Sequence, residues 1–209
     1  MRIAVIGAGN VGSGFGRAAV RAGHDVVLTA TGSEKAQAVA ADIGATAADS
    51  NAAAVQGADV VLLAVPGGVA PSVAAEIAPS LGSAVLVDAS NPLNETYSDL
   101  AIEGTSGAED VQRRVGGAPV VKAFNTVFAS RYENPMDDGV PLQVLIAGDD
   151  DGARGRVAEL ATSLGFEPVE AGGLRFARTL EEMAFLNITL NATNGWPWQT
   201  AWQLVVPRG

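Results

Sequence analysis

The sequence predicts an α/β protein with an open, doubly wound and mostly parallel sheet. Short runs rich in Val, Ile and Leu alternate with Ala-rich segments of helical length, the pattern of parallel strands that crossover helices bury on both faces. Helical spacing after the last predicted strand indicates a helical C-terminal extension over residues 173–209. At 209 residues in all, the chain fits a single domain over residues 1–209.

The predicted elements alternate along most of the chain. The strand candidates are Arg2–Ile6, Asp25–Thr29, Asp59–Val65, Ala84–Asp88, Pro119–Ala123, Leu142–Ala147 and Phe166–Glu170. The helix candidates are Val11–Ala22, Ser33–Asp42, Val69–Pro79, Asp151–Ser163 and Thr179–Thr193. Right-handed crossovers would assemble roughly six to eight strands, with ligands at their carboxyl ends. The weakly patterned segment from Asn91 to Gly117 is expected to be a loop.

Composition excludes several classes of function. Thirteen basic against 23 acidic residues give a net charge of -10, which opposes binding to nucleic acid or an anionic membrane. The absence of cysteine excludes a thiolate nucleophile and a Cys-ligated metal, and we expect no metal site. The N-terminus carries no signal-peptide pattern, and the apolar run from Val60 to Val65 is far shorter than the roughly 20 residues of a membrane span. We therefore expect a cytoplasmic protein.

A G-A-G-N-V-G motif at residues 7–12 follows the first strand and opens the first helix. This context is what the dinucleotide-binding fingerprint of a Rossmann-like fold requires. Gly7 permits the tight turn, Gly9 lets the backbone approach a pyrophosphate, and Gly12 lets the helix pack on the strand. Asn10 and Val11 add backbone N–H groups at the helix N-terminus. We predict an NAD(P)-binding Rossmann domain.

The end of the second strand indicates which dinucleotide is bound. NAD-binding chains carry an acid there for the ribose 2′-hydroxyl, whereas this chain has Thr31, Ser33 and Lys35. Two hydroxyls, a helix N-terminus and a cation suit a 2′-phosphate. The sequence favours NADP(H). The alternative is that Ser33 only caps the helix and Lys35 is solvated.

Further polar or turn-forming residues follow three other strands. Because the carboxyl ends of parallel strands share one edge, we expect these turns to open on the same crevice and to contact the cofactor. These predicted cofactor-binding residues are Ala64, Val65, Pro66, Asn91, Pro92, Asn125 and Thr126. Each proline, taken alone, could simply end its strand.

These motifs together resemble a known family. The glycine fingerprint, the A-V-P, A-S-N-P and K-A-F-N-T turns and the run from Gly148 to Arg154 resemble NADP-dependent oxidoreductases related to coenzyme F420 reductase, over nearly the whole chain. The resemblance implies NADPH at residues 7–12 and hydride exchange with a deazaflavin, coenzyme F420. The chain has Ala30-Thr31 where the family often has Ser-Arg, and Asn125 where its F420 enzymes tend to have His. The same unit resembles the reductase domain of six-helix membrane metalloreductases, which pass hydride from NADPH to a flavin.

The last predicted helix carries a stripe that is apolar at first and amide-bearing later. Its members are Leu180, Met183, Ala184, Asn187, Asn191 and Asn194. Asn187 and Asn191 are predicted to bind the small-molecule acceptor, although the amides could instead meet a symmetry mate or face water. Trp196, Trp198 and Trp202 are expected to form an aromatic cluster that seals the core, covers the pocket or contacts a second copy in a homodimer.

Three groups of residues that suggest chemistry are better explained structurally. His24 precedes the second strand, at the amino edge of the sheet and away from the crevice, so a structural role is expected. Asp149 to Asp151 precede a helix and are predicted to cap it rather than hold a metal. Arg178 and Glu181 are three residues apart on a helix and are predicted to form a surface pair.

Groups able to donate a proton are scarce at the carboxyl edge. Lys122 is nearly the only such group there and is therefore a candidate catalytic residue. Tyr97 and Tyr132 could also donate a proton, but they lie in segments without a clear secondary-structure pattern. Hydride transfer between stacked rings requires chiefly proximity and orientation. The sequence therefore favours an NADPH-dependent reductase of a deazaflavin or flavin. The alternatives are a carbonyl or imine reductase that uses Lys122 and a non-catalytic NADP(H)-binding redox sensor.

Overall fold

The computed structural model describes residues 1–205 and contains a central eight-stranded sheet beside a small hairpin. The strands are β1 (Arg2–Ile6), β2 (Asp25–Thr29), β3 (Thr46–Ala47), β4 (Val60–Leu63), β5 (Val85–Asp88), β6 (Val120–Lys122), β7 (Met136–Asp137), β8 (Val140–Pro141), β9 (Gln143–Gly148) and β10 (Glu167–Gly172). In the sheet their order is β10-β9-β6-β5-β4-β1-β2-β3, and β7 pairs with β8. The predicted doubly wound, mostly parallel sheet is confirmed.

One junction in the sheet is antiparallel. Six neighbouring strands of the sheet run parallel to one another, namely β3, β2, β1, β4, β5 and β6. The next strand, β9, pairs with β6 in the antiparallel direction. Because β10 is parallel to β9, both strands are reversed relative to the other six. The beginnings of β9 and β10 therefore share an edge with the carboxyl ends of β1, β2, β4, β5 and β6. The chain order reverses at β1, where a crevice for a ligand is expected.

Within residues 1–205, seven α-helices cover the two faces of the sheet. They are α1 (Asn10–Arg21), α2 (Ser33–Ile43), α3 (Asn51–Val55), α4 (Ala70–Ile77), α5 (Gly107–Arg114), α6 (Asp151–Ser163) and α7 (Ala177–Asn194). Side chains alternate along each strand, so Ile3 and Val5 pack with α1, α2 and α6 while Ala4 and Ile6 pack with α3, α4 and α5. The sheet is thus buried on both faces, as its continuous apolar strands require.

The segment from Asn91 to Gly117 is not the structureless loop that was predicted. It contains α5, which begins with a capping box in which Ser106 and Glu109 satisfy each other's backbone N–H groups. The helix has two acids in its first turn and two arginines in its last, which favours it electrostatically. The prediction failed because only Ala108 and Val111 of this short, charged helix are buried apolar residues, too few for a periodic signal.

The predicted helical extension contains α7 and a terminal segment without regular structure, and residues 206–209 of it lie outside the described residues. Its tryptophans do not form one cluster within residues 1–205, contrary to prediction. Trp198 packs edge-on against Phe128 with ring centroids 5.7 Å apart, whereas Trp202 donates its indole N–H to the Met183 carbonyl. Among the described residues no helix combines the length and the apolarity needed to cross a bilayer.

Candidate functional site

The glycine loop after β1 needs its three glycines for different reasons. Gly7 has a φ of +113°, and a Cβ there would overlap the Ala64 carbonyl. A Cβ on Gly12 would overlap the Gly7 carbonyl. A Cβ on Gly9, in contrast, would meet no atom within 4 Å. The fold therefore explains Gly7 and Gly12, whereas the space in front of Gly9 is free for a ligand.

The start of α1 offers unsatisfied donors beside that space. Gly9 is the N-cap residue, and no side chain among residues 1–205 caps the helix. The first N–H groups of a helix have no partner inside the helix and carry partial positive charge. Open space together with free donors fits the pyrophosphate of a dinucleotide.

The end of β2 is polar and open. Thr31, Ser33 and Lys35 are all exposed, and α2 begins there with Gly32, not Ser33, as its N-cap. Ser33 therefore does not cap the helix, whereas the exposed position of Lys35 on α2 agrees with the other half of that alternative. Thr29, at the end of the strand, is occupied in a hydrogen bond to the Asn51 side chain.

The turns after β4, β5 and β6 meet at one edge of the sheet, as predicted. A Cβ on Gly67 would overlap the Asn91 carbonyl and the Pro92 Cα, which places the first two turns in direct contact. Asn125 donates to the Asn91 Oδ1 at 2.9 Å, and Asn91 donates to the Asn125 carbonyl at 3.1 Å. Phe124 has a φ of +66°, a strained conformation that is common at functional sites.

Directly beneath these turns lies a buried ionic cluster formed by Asp88, Lys122 and Glu181. The Lys122 ammonium donates to Asp88 at 2.9 Å, to Glu181 at 2.8 Å and to the Ser90 carbonyl at 2.6 Å. All three charged side chains are fully buried. Burial works against the charged ammonium, but the two carboxylates outweigh it and raise the pKa of Lys122.

This geometry corrects two predictions. Lys122 is not nearly alone, because two acids contact it, and its three N–H donors are all used within the protein. Glu181 does not form a surface pair with Arg178, which instead lies 3.7 Å from Glu182. Glu181 also accepts hydrogen bonds from the N–H groups of Gly107 and Ala108 at the start of α5.

Sequence reasoning missed Asp88 and Glu181 as parts of the site. Asp88 ends a buried apolar strand, a position where an acid is costly unless it is paired, and this signal was available in the sequence. For Glu181 there was no comparable signal, because a glutamate at helical spacing from basic residues is typical of a solvated helix face.

An apolar groove adjoins the turn after β5. Its volume is about 630 Å³, and its described lining residues are Leu93, Thr96, Tyr97, Ser98, Phe185, Ile188, Thr189, Ala192, Thr193 and Trp198. These residues include no carboxylate, amine, guanidinium or imidazole group. Leu93 is linked to the crevice because its N–H donates to the Asn91 carbonyl. Two of the lining residues, Tyr97 and Trp198, have strained backbone, with φ values of +57° and +56°.

Asn187 and Asn191 lie on a different face of α7 from the groove residues. Both are buried, and Asn191 donates to the Asn187 Oδ1 and to the Thr200 hydroxyl. Their described contacts hold the C-terminal segment against α7. A second cavity, of about 640 Å³, lies beneath that segment, between Arg131, Gln143 and Glu167, and contains none of the predicted site residues.

Other candidates have structural roles. The His24 imidazole bridges the N-terminal ammonium and the Ser163 hydroxyl, in agreement with the prediction. Asp150 caps α6 through the Ala153 N–H, also as predicted. Tyr132 is fully buried in an aromatic core with Phe15, and burial raises the pKa of its phenol far above the ordinary value.

Comparison with known proteins identifies the relatives of this chain. Residues 2–92 match the family model described as NADP oxidoreductase, coenzyme F420-dependent. The F420-dependent NADP reductase of Methanothermobacter thermautotrophicus is 34% identical over 216 residues, which cover 93% of this chain and 90% of that protein. The metalloreductase STEAP3 of Rattus norvegicus is 37% identical over 105 residues, half of this chain and 21% of that protein.

A solved structure shares the whole architecture. The chain from Arthrobacter sp. FB24, assigned as an F420-dependent NADP reductase, superposes with a TM-score of 0.85 at 27% identity. The superposition covers 98% of this chain and 100% of that one. The likeness thus includes α7 and the reversed strands as well as the glycine loop.

Proposed function

This chain belongs to the family of F420-dependent NADP oxidoreductases, and from that membership we propose that it transfers hydride between NADP(H) and a deazaflavin or flavin-type acceptor. NADP-dependent oxidoreductase activity follows from the family. The acceptor is the new element of the proposal. The observation that carries it is the apolar groove with Tyr97, Phe185 and Trp198 along its walls.

The proposal assigns the dinucleotide to the crevice at the carboxyl edge. The α1 N-terminus and the space at Gly9 would hold the pyrophosphate, and Thr31, Ser33 and Lys35 the 2′-phosphate. The turns that contain Pro66, Asn91 and Asn125 would then contact the nicotinamide half. When bound, the dinucleotide supplies or accepts the hydride.

The groove would orient the acceptor ring. Aromatic and apolar walls favour a flat ring system and exclude water from it. Transfer between two rings needs orientation rather than a side chain that protonates an alkoxide. The composition of the groove fits that requirement, since the phenol of Tyr97 is the one titratable side chain in its described lining.

The geometry gives no support to a carbonyl or imine reductase that uses Lys122 as its acid. All three ammonium donors are bound to protein oxygens, and the side chain is fully buried. A proton donor must reach the reacting atom directly or through one water.

An acceptor panel tests the proposed function. Loss of NADPH absorbance is followed with coenzyme F420, with FMN and with representative carbonyl and imine compounds. We expect turnover with at least one ring acceptor and none with the carbonyl or imine compounds. NADPH binding without turnover of any acceptor would instead indicate a redox sensor.

Groove variants locate the acceptor. Trp198→Ala and Tyr97→Ala should raise KM for the ring acceptor about tenfold, since each removes an aromatic contact of about 1–3 kcal/mol. The dissociation constant for NADPH should not change. Trp196→Ala is the matched control, because Trp196 is 42% exposed, close to the 45% of Trp198, but is not among the described lining residues of the groove. Equal effects of all three variants would contradict this location.

A further inference from the structure

The buried ionic cluster holds Ser90 by its backbone and side chain. Asp88 accepts from the Ser90 N–H at 3.0 Å and from its hydroxyl at 2.6 Å, while Lys122 donates to its carbonyl. Ser90 is the second residue of the A-S-N-P turn, which continues with Asn91 and Pro92. The position of this turn is therefore set by the charges beneath it.

The same cluster also holds the beginning of α7. Glu181 binds Lys122 and the first two N–H groups of α5, and Asn125 donates to the Leu180 carbonyl at 2.9 Å. About one turn and two turns further along, respectively, Phe185 and Ile188 line the apolar groove. The cluster thus connects the nicotinamide-side turns to one wall of the groove through a chain of buried hydrogen bonds.

We infer that Asp88, Lys122 and Glu181 form a positioning unit that sets the distance and angle between the two bound rings. This inference rests on the proposed function, which requires two rings to stack between the Ser90–Pro92 turn and α7. Orientation is the main contribution that a protein makes to such a transfer, and a displacement of about 1 Å can cost about 100-fold in rate. Lys122 is then a positioning residue and not a proton donor.

Charge balance makes the inference testable by pH. The titratable groups that face the Lys122 ammonium are Asp88 from β5 and Glu181 from α7, and the α5 N-terminus faces Glu181 from the other side. Glu109, on α5, is turned toward Ser106 and Thr105. Without the ammonium, two buried carboxylates would face each other, and one would take up a proton as the pH falls.

The test compares Glu181→Gln, Lys122→Met and the double variant Lys122→Met/Glu181→Gln in the full chain. Glu182→Gln is the matched control, since it removes a neighbouring, exposed acid of α7. For each protein, the dissociation constant for NADPH is measured by titration. The single-turnover rate of hydride transfer to the ring acceptor is then measured at saturation, from mildly acidic to mildly basic pH.

We expect Glu181→Gln to lower the saturated rate about 100-fold while NADPH affinity stays at the wild-type value. The amide oxygen can still accept from Lys122 and the Ala108 N–H, as Oε1 does now, so the fold should survive, but the Gly107 N–H loses its acceptor because the amide NH₂ takes the place of Oε2. In Lys122→Met, the rate relative to wild type should rise as the pH falls, because a proton bridging Asp88 and Glu181 takes the place of the ammonium. The double variant has the net charge of the wild-type cluster and should lose this acid dependence.

The inference is overturned if Glu181→Gln transfers hydride at the wild-type rate, or if the Lys122→Met defect is the same at every pH. If Lys122→Met does not fold, the hydride-transfer rates of the double variant and of Glu181→Gln test the inference. Failure of the proposed function is distinct, since wild type would then bind NADPH without reducing any ring acceptor. In that event, amide hydrogen exchange tests the cluster. Glu181→Gln should speed exchange at the Ser90–Pro92 turn and in early α7 but not at Gly7–Gly12. Unchanged exchange at the turn and in early α7 would refute the positioning role of the cluster.

Discussion

The glycine loop at residues 7–12 and the buried ionic cluster lie along the same edge of the sheet. The loop is contiguous in sequence, uncharged and open, and no side chain among residues 1–205 caps the helix that begins in it. The cluster joins residues 88, 122 and 181, is fully buried and presents no polar atom to solvent. In the proposed function, the loop binds the cofactor through backbone N–H groups that are free, whereas the cluster orients the neighbouring turns through side chains that are held in place.

The largest effect should come from breaking the cluster. Lys122→Met should lower the free energy of unfolding by about 3–5 kcal/mol, because two buried carboxylates lose the charge between them. Urea denaturation measures the loss. Lys35→Met is the control in the open region: it should leave unfolding unchanged and weaken only NADPH binding. Equal free energies of unfolding for Lys122→Met and Lys35→Met would contradict the difference between the buried cluster and the open region.

A smaller effect, confined to binding, should follow a change in the loop. Gly9→Val should weaken NADPH binding at least about 100-fold, or 2.8 kcal/mol, by filling the space for the pyrophosphate. Stability should be nearly unaffected, because no protein atom lies within 4 Å of the new Cβ. Calorimetry measures the affinity. Gly155→Val on α6 is the control, because a Cβ there also meets no atom within 4 Å. Wild-type NADPH affinity in Gly9→Val would show that the glycine loop does not bind the pyrophosphate.

The choice of dinucleotide should respond to the end of β2. We expect NADPH to bind at least about tenfold tighter than NADH, or 1.4 kcal/mol. Thr31→Asp should shift this preference toward NADH, since a carboxylate accepts from a 2′-hydroxyl and repels a 2′-phosphate. Thr31→Asn, which has the shape of Thr31→Asp without its charge, should shift the preference for NADPH less. Equal affinities of wild type for both dinucleotides would show that this end of β2 does not select.

The smallest effect concerns His24, at the opposite edge of the sheet. Burial, and then the N-terminal ammonium, lower its pKa from 6.5, so the folded state binds the proton less well than the unfolded state. Stability is therefore lost as the pH falls below 6.5. His24→Gln should make Tm fall less steeply with acidification than in wild type. Parallel curves of Tm against pH would show that His24 does not contribute.

Local patterns determined much of this protein. Two strands, Arg2–Ile6 and Asp25–Thr29, and one helix, Asp151–Ser163, were predicted with the bounds that the structure has. Apolar runs and glycine turns act over a few residues, so a linear pattern is enough to predict them. The crevice was predictable for the same reason, because parallel strands bring their carboxyl ends together.

Only the tertiary structure decided the partners of Lys122 and the face of α7 that meets the core. Glu181 lies 59 residues from Lys122 along the chain, and nothing within its own helix distinguishes it from the exposed Glu182. The reversal of β9 and β10 likewise depends on how the chain returns to the sheet after β6. Pairing between distant residues is set by the packing of whole elements against one another, and no local pattern contains it.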